Sequence, residues 1–201
     1  MKQAFAREKP WDATIAAWML RPIARFPLLH PNHFTGARLI TGIYGSLLFA
    51  TGSNNLTAAL FFVLSNFLDH FDGELARMTN RSSKFGHYFD LISDFIVTSG
   101  AFFCIGFGFY TKNENPLFIL MGVFSGLSIM ATFHMRHLIE SKEGKKGTIQ
   151  PSAFGFEAED VLYFLPAIVF FDSLELFLLL ASIGAPIAML LVLTQLKKNK
   201  E

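Results

Sequence analysis

Hydrophobic runs of the ~20 residues needed to cross a bilayer recur along nearly the whole chain, and each ends in turn-forming residues. In such a chain the backbone polar groups must be satisfied within each segment, which leaves a helical bundle as the natural solution. Hydropathy predicts spans over Thr35–Thr51, Leu56–Met78, Phe85–Tyr110, Pro116–Ile139, Asp160–Phe171 and Leu174–Leu196. The breaks between them carry Gly52 to Asn55, Asn80 to Ser83, Lys112 to Pro116, Glu140 to Ser152, and Asp172-Ser173. The fifth span is short, because only Val161 to Phe171 is cleanly apolar and Pro166 lies inside it. It must start in the acidic Glu157, Glu159 and Asp160 region or be kinked. With 52% hydrophobic and only 16% charged residues the chain falls outside the soluble range. The predicted fold class is therefore all-α, an integral membrane bundle of six transmembrane helices over residues 32–201. Cys104, the single cysteine, excludes a disulfide framework.

Six spans put both termini on one side. If that side is the cytoplasm, it collects every lysine and arginine except Lys112, on the far side, and Arg38, inside the first span. This asymmetry obeys the positive-inside rule and supports a multi-pass protein of a cell membrane, a bacterial inner membrane being the expected one. Residues 1–31 do not read as a secretory signal, since Met1 to Trp11 is charged throughout and no apolar core with a cleavage site follows. Trp11, Ile15, Trp18, Met19, Ile23 and Phe26 share about a third of a helical wheel with Arg21 and Arg25 on its flank, which predicts an amphipathic interfacial helix. A short helix packed on the bundle is the alternative. A net charge of +1 says nothing by itself about partners, and no nucleic-acid partner is expected.

Four aspartates interrupt the second and third spans. Asp69 and Asp72 are i, i+3 neighbours, and Gly86, Asp90 and Asp94 stack at intervals of four. In an antiparallel hairpin turning near Arg81, Asp72 and Asp90 are each nine residues from the turn, so the two pairs return to the same depth. An ionised side chain at mid-membrane costs about 2.5–3.5 kcal/mol even on the lenient scale. Four therefore demand compensation, and Arg77 can neutralise only one. Divalent cations with oxygen ligands would supply it. Ion pairs, a water-filled cavity, or a cation or proton pathway are the other ways to accommodate the charge.

The spacing Asp69-x2-Asp72-Gly73-x2-Ala76-Arg77-x8-Gly86-x3-Asp90-x3-Asp94 resembles, without a departure, the signature of the CDP-alcohol phosphotransferases, membrane enzymes of phospholipid head-group synthesis. Eight fixed positions give a chance match on the order of 10⁻¹⁰ per starting point. Pro31-Asn32-x2-Thr35-x2-Arg38 also resembles the stretch that often opens the first helix of that family. The resemblance implies attack by an alcohol on a CDP-linked substrate with release of CMP, two divalent cations (Mg2+ or Mn2+) as cofactors, and a homodimer. It implies that Asp69, Asp72 and Asp90 hold the metals and that Asp94 takes the acceptor proton while contacting a metal. Asp69, Gly73, Ala76, Arg77, Ser83 and Gly86 are implied to meet the nucleotide of CDP-diacylglycerol, with Arg77 on phosphate.

Acceptor contacts are expected near the end of the fourth span and beyond it: His134, Arg136, His137, Lys142, Lys145 and Lys146, with Arg38 from the first span. Such a cationic set favours glycerol 3-phosphate or an inositol phosphate over serine or choline, although the three lysines also suit a plain positive-inside loop. Gly144-Lys145-Lys146-Gly147-Thr148-Ile149-Gln150 is similar to a motif of phosphatidylglycerophosphate synthases, but glycine stands for its second lysine and the glutamine comes one residue early. A CDP-alcohol as donor stays open at this stage, as does a cation or proton transporter built on the same acids. The fixed glycines, alanine and arginine speak against a transporter, which has no need of them, as does the lack of repeats or interrupted helices.

Overall fold

The computed structural model describes residues 10–143 and 158–198, and every regular element within them is helical. In chain order these are α1 (Trp11–Leu20), α2 (Pro31–Thr51), α3 (Asn55–Thr79), α4 (Lys84–Asn113), α5 (Leu117–Glu143), a 3₁₀ segment (Ala158–Phe164), α6 (Leu165–Phe170) and α7 (Leu174–Lys198).

The boundaries follow from local chemistry. Pro31 opens α2, where its missing N–H costs nothing. The cap is His30, whose Nδ1 accepts from the Asn32 backbone N–H at 3.2 Å. Gly52 ends the helix at φ 59°, a left-handed value that favours glycine. Asn54 caps α3 through the Thr57 N–H at 3.0 Å, and Asn80 terminates it at φ 53°. Ser83 then caps α4 by accepting from the Gly86 N–H at 2.9 Å.

A short turn over residues 80–83 joins α3 to α4 as expected, but the two helices are held apart. α2 lies between α3 and α4 and packs extensively on both; α4 continues onto α5, and α5 onto α7. The two acidic helices therefore face each other across a gap that α2 backs, which leaves space for a site. A buried core of Phe49, Phe62, Val97, Phe102, Ile105, Leu165 and Leu178 fills the bundle away from that gap. α4 and α5 cross so closely that a Cβ on Gly106 would fall 2.3 Å from the Phe118 carbonyl oxygen, so only glycine permits the contact.

Among the described residues, three helical stretches are long and apolar enough to cross a membrane: Lys84–Asn113, Leu117–Ile139 and Leu174–Lys197. α2 and α3 have the length, 21 and 25 residues, but carry Arg38 and the acidic run from Asp69. The fifth expected span is not one α-helix. Seven 3₁₀ residues lead into a six-residue helix, and Pro166 sits in its first turn, where it disturbs no hydrogen bond. α1 buries Asp12, Ala13, Ala16, Ala17 and Leu20, packs on α3, and exposes Trp11, Ile15, Trp18 and Met19. Its expected charged flank lies elsewhere: Arg21 follows the last helical residue and Arg25 sits in the turns beyond.

Candidate active site

Asp69 and Asp72 come from α3, Asp90 and Asp94 from α4, and the gap between these helices brings them together. One carboxylate oxygen each from Asp69, Asp72 and Asp90 lies within 4.8 Å of the others. Arg38 enters from α2, 3% exposed. Its Nη1 stands 2.6 Å from Asp69 and 3.2 Å from Asp90, and its Nη2 pairs with Asp94. Thr35, one turn earlier, donates to Asp72 at 2.6 Å. The Pro31 to Arg38 stretch thus supplies the donors for the acids of the next two helices.

The donor set suits a cation. It is all oxygen, as a hard divalent ion requires. One guanidinium against four carboxylates also leaves most of the negative charge for a metal to balance. Asp69, Asp72 and Asp90 are the residues that would hold it.

Two cavities meet at this cluster. The smaller, about 240 Å³, lies among the N-terminus of α2, the C-terminal half of α3 and the start of α4; its lining includes Asn32, Thr35, Asp72, Gly73, Ala76, Ser83, Gly86 and Asp90. A Cβ on Gly86 would stand 3.0 Å from Asn32 Oδ1 and 3.1 Å from Ser83 Oγ, so glycine keeps this space open. Ser83 both caps α4 and lines the cavity, and a hydroxyl that accepts one bond still has a proton to donate. Arg77 is not drawn into the carboxylates. It pairs with buried Glu74 at 2.6 Å and lies over Gly73 at the rim, 63% exposed.

The larger cavity, about 710 Å³, is lined by the charged and polar Arg38, Asp69, Asp90, Asp94, His87, His134, Arg136 and His137 together with the apolar Phe95, Leu127 and Leu162. His87 and His137 place their rings 5.2 Å apart. Of the expected acceptor residues, Arg136, His134 and His137 reach this cavity; Lys142 is on the last turn of α5, and Lys145 and Lys146 lie outside the described residues. Arg38 lines it too, but with both terminal nitrogens committed to aspartates.

Several site-proximal residues escape the sequence pattern. Glu74 is one, marked only by its i, i+3 spacing to Arg77. His87 lines both cavities. Asp12 of α1, 3% exposed, is 2.7 Å from His70 Nε2 through Oδ2 and accepts the Tyr163 hydroxyl at 3.0 Å on the same oxygen, while Oδ1 takes the Ala13 N–H. Burial pushes this carboxyl up, but the His70 hydrogen bond and charge, with the other two donors, outweigh it and hold Asp12 below its ordinary value. An acid inside an otherwise apolar segment is the signal that could have found it.

The chain is 36% identical over 101 residues to the CDP-diacylglycerol–serine O-phosphatidyltransferase of Helicobacter pylori, a match covering 47% of this chain and 42% of that one. It is 34% identical over 76 residues to the CDP-diacylglycerol–inositol 3-phosphatidyltransferase of Candida albicans, covering 38% and 32%. The matched stretch thus spans less than half the length of either curated relative. The crystal structure of Mycobacterium tuberculosis phosphatidylinositol phosphate synthase with CDP-DAG bound superposes with a TM-score of 0.68 at 18% identity, covering 92% of this chain and 93% of that one, which establishes a shared fold. The family model for CDP-alcohol phosphatidyltransferase matches residues 28–196, nearly the whole described bundle and all four aspartates, and the chain belongs to that family.

Proposed function

We propose that the chain transfers a phosphatidyl group from CDP-diacylglycerol to the hydroxyl of a small, anionic polar alcohol and releases CMP. The observation that carries this reading is the oxygen cluster of Asp69, Asp72 and Asp90 between two cavities of different character. The acceptor oxygen bonds to the phosphorus that bears diacylglycerol, the bond from that phosphorus to the CMP phosphate oxygen breaks, CMP departs with the electron pair, and the hydroxyl proton passes to Asp94. Divalent cations held by Asp69, Asp72 and Asp90 supply charge stabilisation to the pyrophosphate and the leaving CMP.

The remaining work falls to the chain itself. Gly73, Ala76 and Gly86 leave room for the nucleotide in the smaller cavity, Ser83 donates to it, and Arg77 swings from Glu74 onto a phosphate, which it can hold bidentately. Arg38 fixes the Asp69, Asp90 and Asp94 carboxylates and limits their mutual repulsion. The His87, His134, Arg136 and His137 wall favours an acceptor carrying phosphate or carboxylate. We read α2 to α5, the 158–170 segment and α7 as six crossings with both termini cytoplasmic. The cluster then sits about two to three helical turns below the cytoplasmic end of α3, where a lipid-borne nucleotide meets water.

The test is CMP release from CDP-diacylglycerol with Mg2+ or Mn2+ against glycerol 3-phosphate, inositol phosphate, inositol and serine. Release with an anionic acceptor that EDTA abolishes and the metal restores is the expected result. CMP release that persists undiminished in EDTA overturns the metal site, and silence with every acceptor overturns the transferase reading.

A further inference from the structure

Asp12, His70 and Tyr163 form a partly buried link, centred on the buried Asp12, among three segments far apart in sequence: α1, α3 and the 3₁₀ segment before α6. None of the three lines either cavity, yet two of them adjoin residues that do. His70 follows Asp69, and Tyr163 follows Leu162, and both Asp69 and Leu162 line the larger cavity. The link is well made. Asp12 Oδ2 faces both His70 Nε2 at 2.7 Å and the Tyr163 hydroxyl at 3.0 Å, Oδ1 takes the Ala13 N–H at 2.7 Å, and the Tyr163 ring packs edge-on against Trp11 with centroids 5.0 Å apart.

A buried carboxylate is costly unless its oxygens are satisfied, so a structural role alone would be served more cheaply by an apolar contact at this position. What the polar link adds is direction. A 3₁₀ segment has poorer hydrogen-bond geometry than an α-helix and holds its place weakly by itself. Here one end is tied through Tyr163 to Asp12, and Asp12 is tied in turn to the helix turn that carries Asp69.

We propose that the Asp12, His70 and Tyr163 link is a positioning clasp: it fixes the Leu162 wall of the larger cavity relative to Asp69 and so sets acceptor affinity, without touching either substrate. This rests on the reading of that cavity as the acceptor side.

Tyr163→Phe removes the hydroxyl and keeps the ring on Trp11. The variant is compared with wild type in lipid nanodiscs, using CDP-diacylglycerol and whichever of glycerol 3-phosphate, inositol phosphate, inositol or serine releases most CMP. The acceptor KM is expected to rise about fivefold, the effect of one buried hydrogen bond, with the KM for CDP-diacylglycerol unchanged. Asp12→Ala, which also removes the His70 contact, is expected to give at least that rise, and the double variant no more than Asp12→Ala alone, because the Tyr163 bond is already lost there. Amide exchange over residues 158–164 is expected to quicken in Tyr163→Phe, a measurement that stands even if Asp12→Ala fails to fold. An unchanged acceptor KM, or a parallel rise in both KM values, overturns the clasp. If wild type releases no CMP with any acceptor, the transferase reading fails instead. The clasp is then judged by amide exchange alone, and unchanged exchange over 158–164 overturns it.

Discussion

The two cavities that meet at the aspartates are built in opposite ways. The smaller draws its lining from residues 31–90, three helix ends that succeed one another in the chain, and the same groups that line it also start and space those helices: Pro31 at the first turn of α2, Ser83 at the cap of α4, Gly86 beside it. The larger collects residues from 38 to 162 across α2, α3, α4, α5 and the 3₁₀ segment. The first is fixed by local geometry and leaves little freedom for change, as the nucleotide half of a shared donor would require. The second is assembled by packing, so one substitution on α5 can remodel it while the aspartates stay where they are. On the proposed assignment of the two cavities, acceptor choice can therefore vary on a constant donor site.

The division is tested most severely at Asp94, which lines only the larger cavity. Asp94→Asn should retain CDP-diacylglycerol binding and lose about 10²- to 10⁴-fold in CMP release, the usual contribution of a general base. Substantial turnover by this variant would remove Asp94 as the base, and lost binding would show that the cavities do not act separately. Arg136→Gln comes next. Loss of one charge-assisted contact should raise the acceptor KM by at least tenfold and leave that of CDP-diacylglycerol unchanged. Steady-state kinetics with each substrate varied in turn would read this out, and an effect confined to the donor would reverse the assignment of the two sides.

Gly86→Ala probes the opposite side. A Cβ 3.0 Å from Asn32 Oδ1 and 3.1 Å from Ser83 Oγ forces a small displacement where the nucleotide would lie. Overpacking of this kind typically costs ~1–3 kcal/mol, so the CDP-diacylglycerol KM should rise by about tenfold at constant acceptor KM. The mirror-image result from Arg136→Gln makes the pair a direct measure of how separate the cavities are. Equal changes in both constants from either variant would mean that they form a single site.

The same contrast governs what could be read from the sequence. The helical class, the turn positions and the approach of four aspartates followed from hydrophobic run length and the spacing of acids about Arg81, because both depend on rise per residue along one chain. That α2 would lie between α3 and α4 did not follow, since helix order in a bundle is set by which small faces fit, here a Gly42 whose Cβ would clash with Val97 and a Gly45 against the Ala58 carbonyl. The division of the 158–170 stretch into a 3₁₀ segment and a short α-helix was equally hidden, although Pro166 marked where the change occurs. His87 and the partnership of Asp12 with His70 and Tyr163 depend on long-range contacts that no local period encodes.

Thr35 carries the smallest expected effect and sharpens the comparison most finely. Its side chain is nearly isosteric with valine, it is 2% exposed, and its hydroxyl hydrogen-bonds Asp72 at 2.6 Å, with the Pro31 carbonyl 3.5 Å away. Thr35→Val leaves helix packing almost unaltered and takes one donor from a carboxylate that belongs to both the cluster and the smaller cavity. Removing one hydrogen bond to a charged group is worth roughly 1.5–3 kcal/mol at most, and a cation that takes up part of Asp72's unmet demand would reduce the loss. The metal concentration for half-maximal CMP release should therefore rise about three- to fivefold, with both substrate constants nearly unchanged at saturating metal. A rise in the CDP-diacylglycerol KM that excess metal does not cure would instead assign Thr35 to the nucleotide, extending the smaller cavity's role to the first turns of α2.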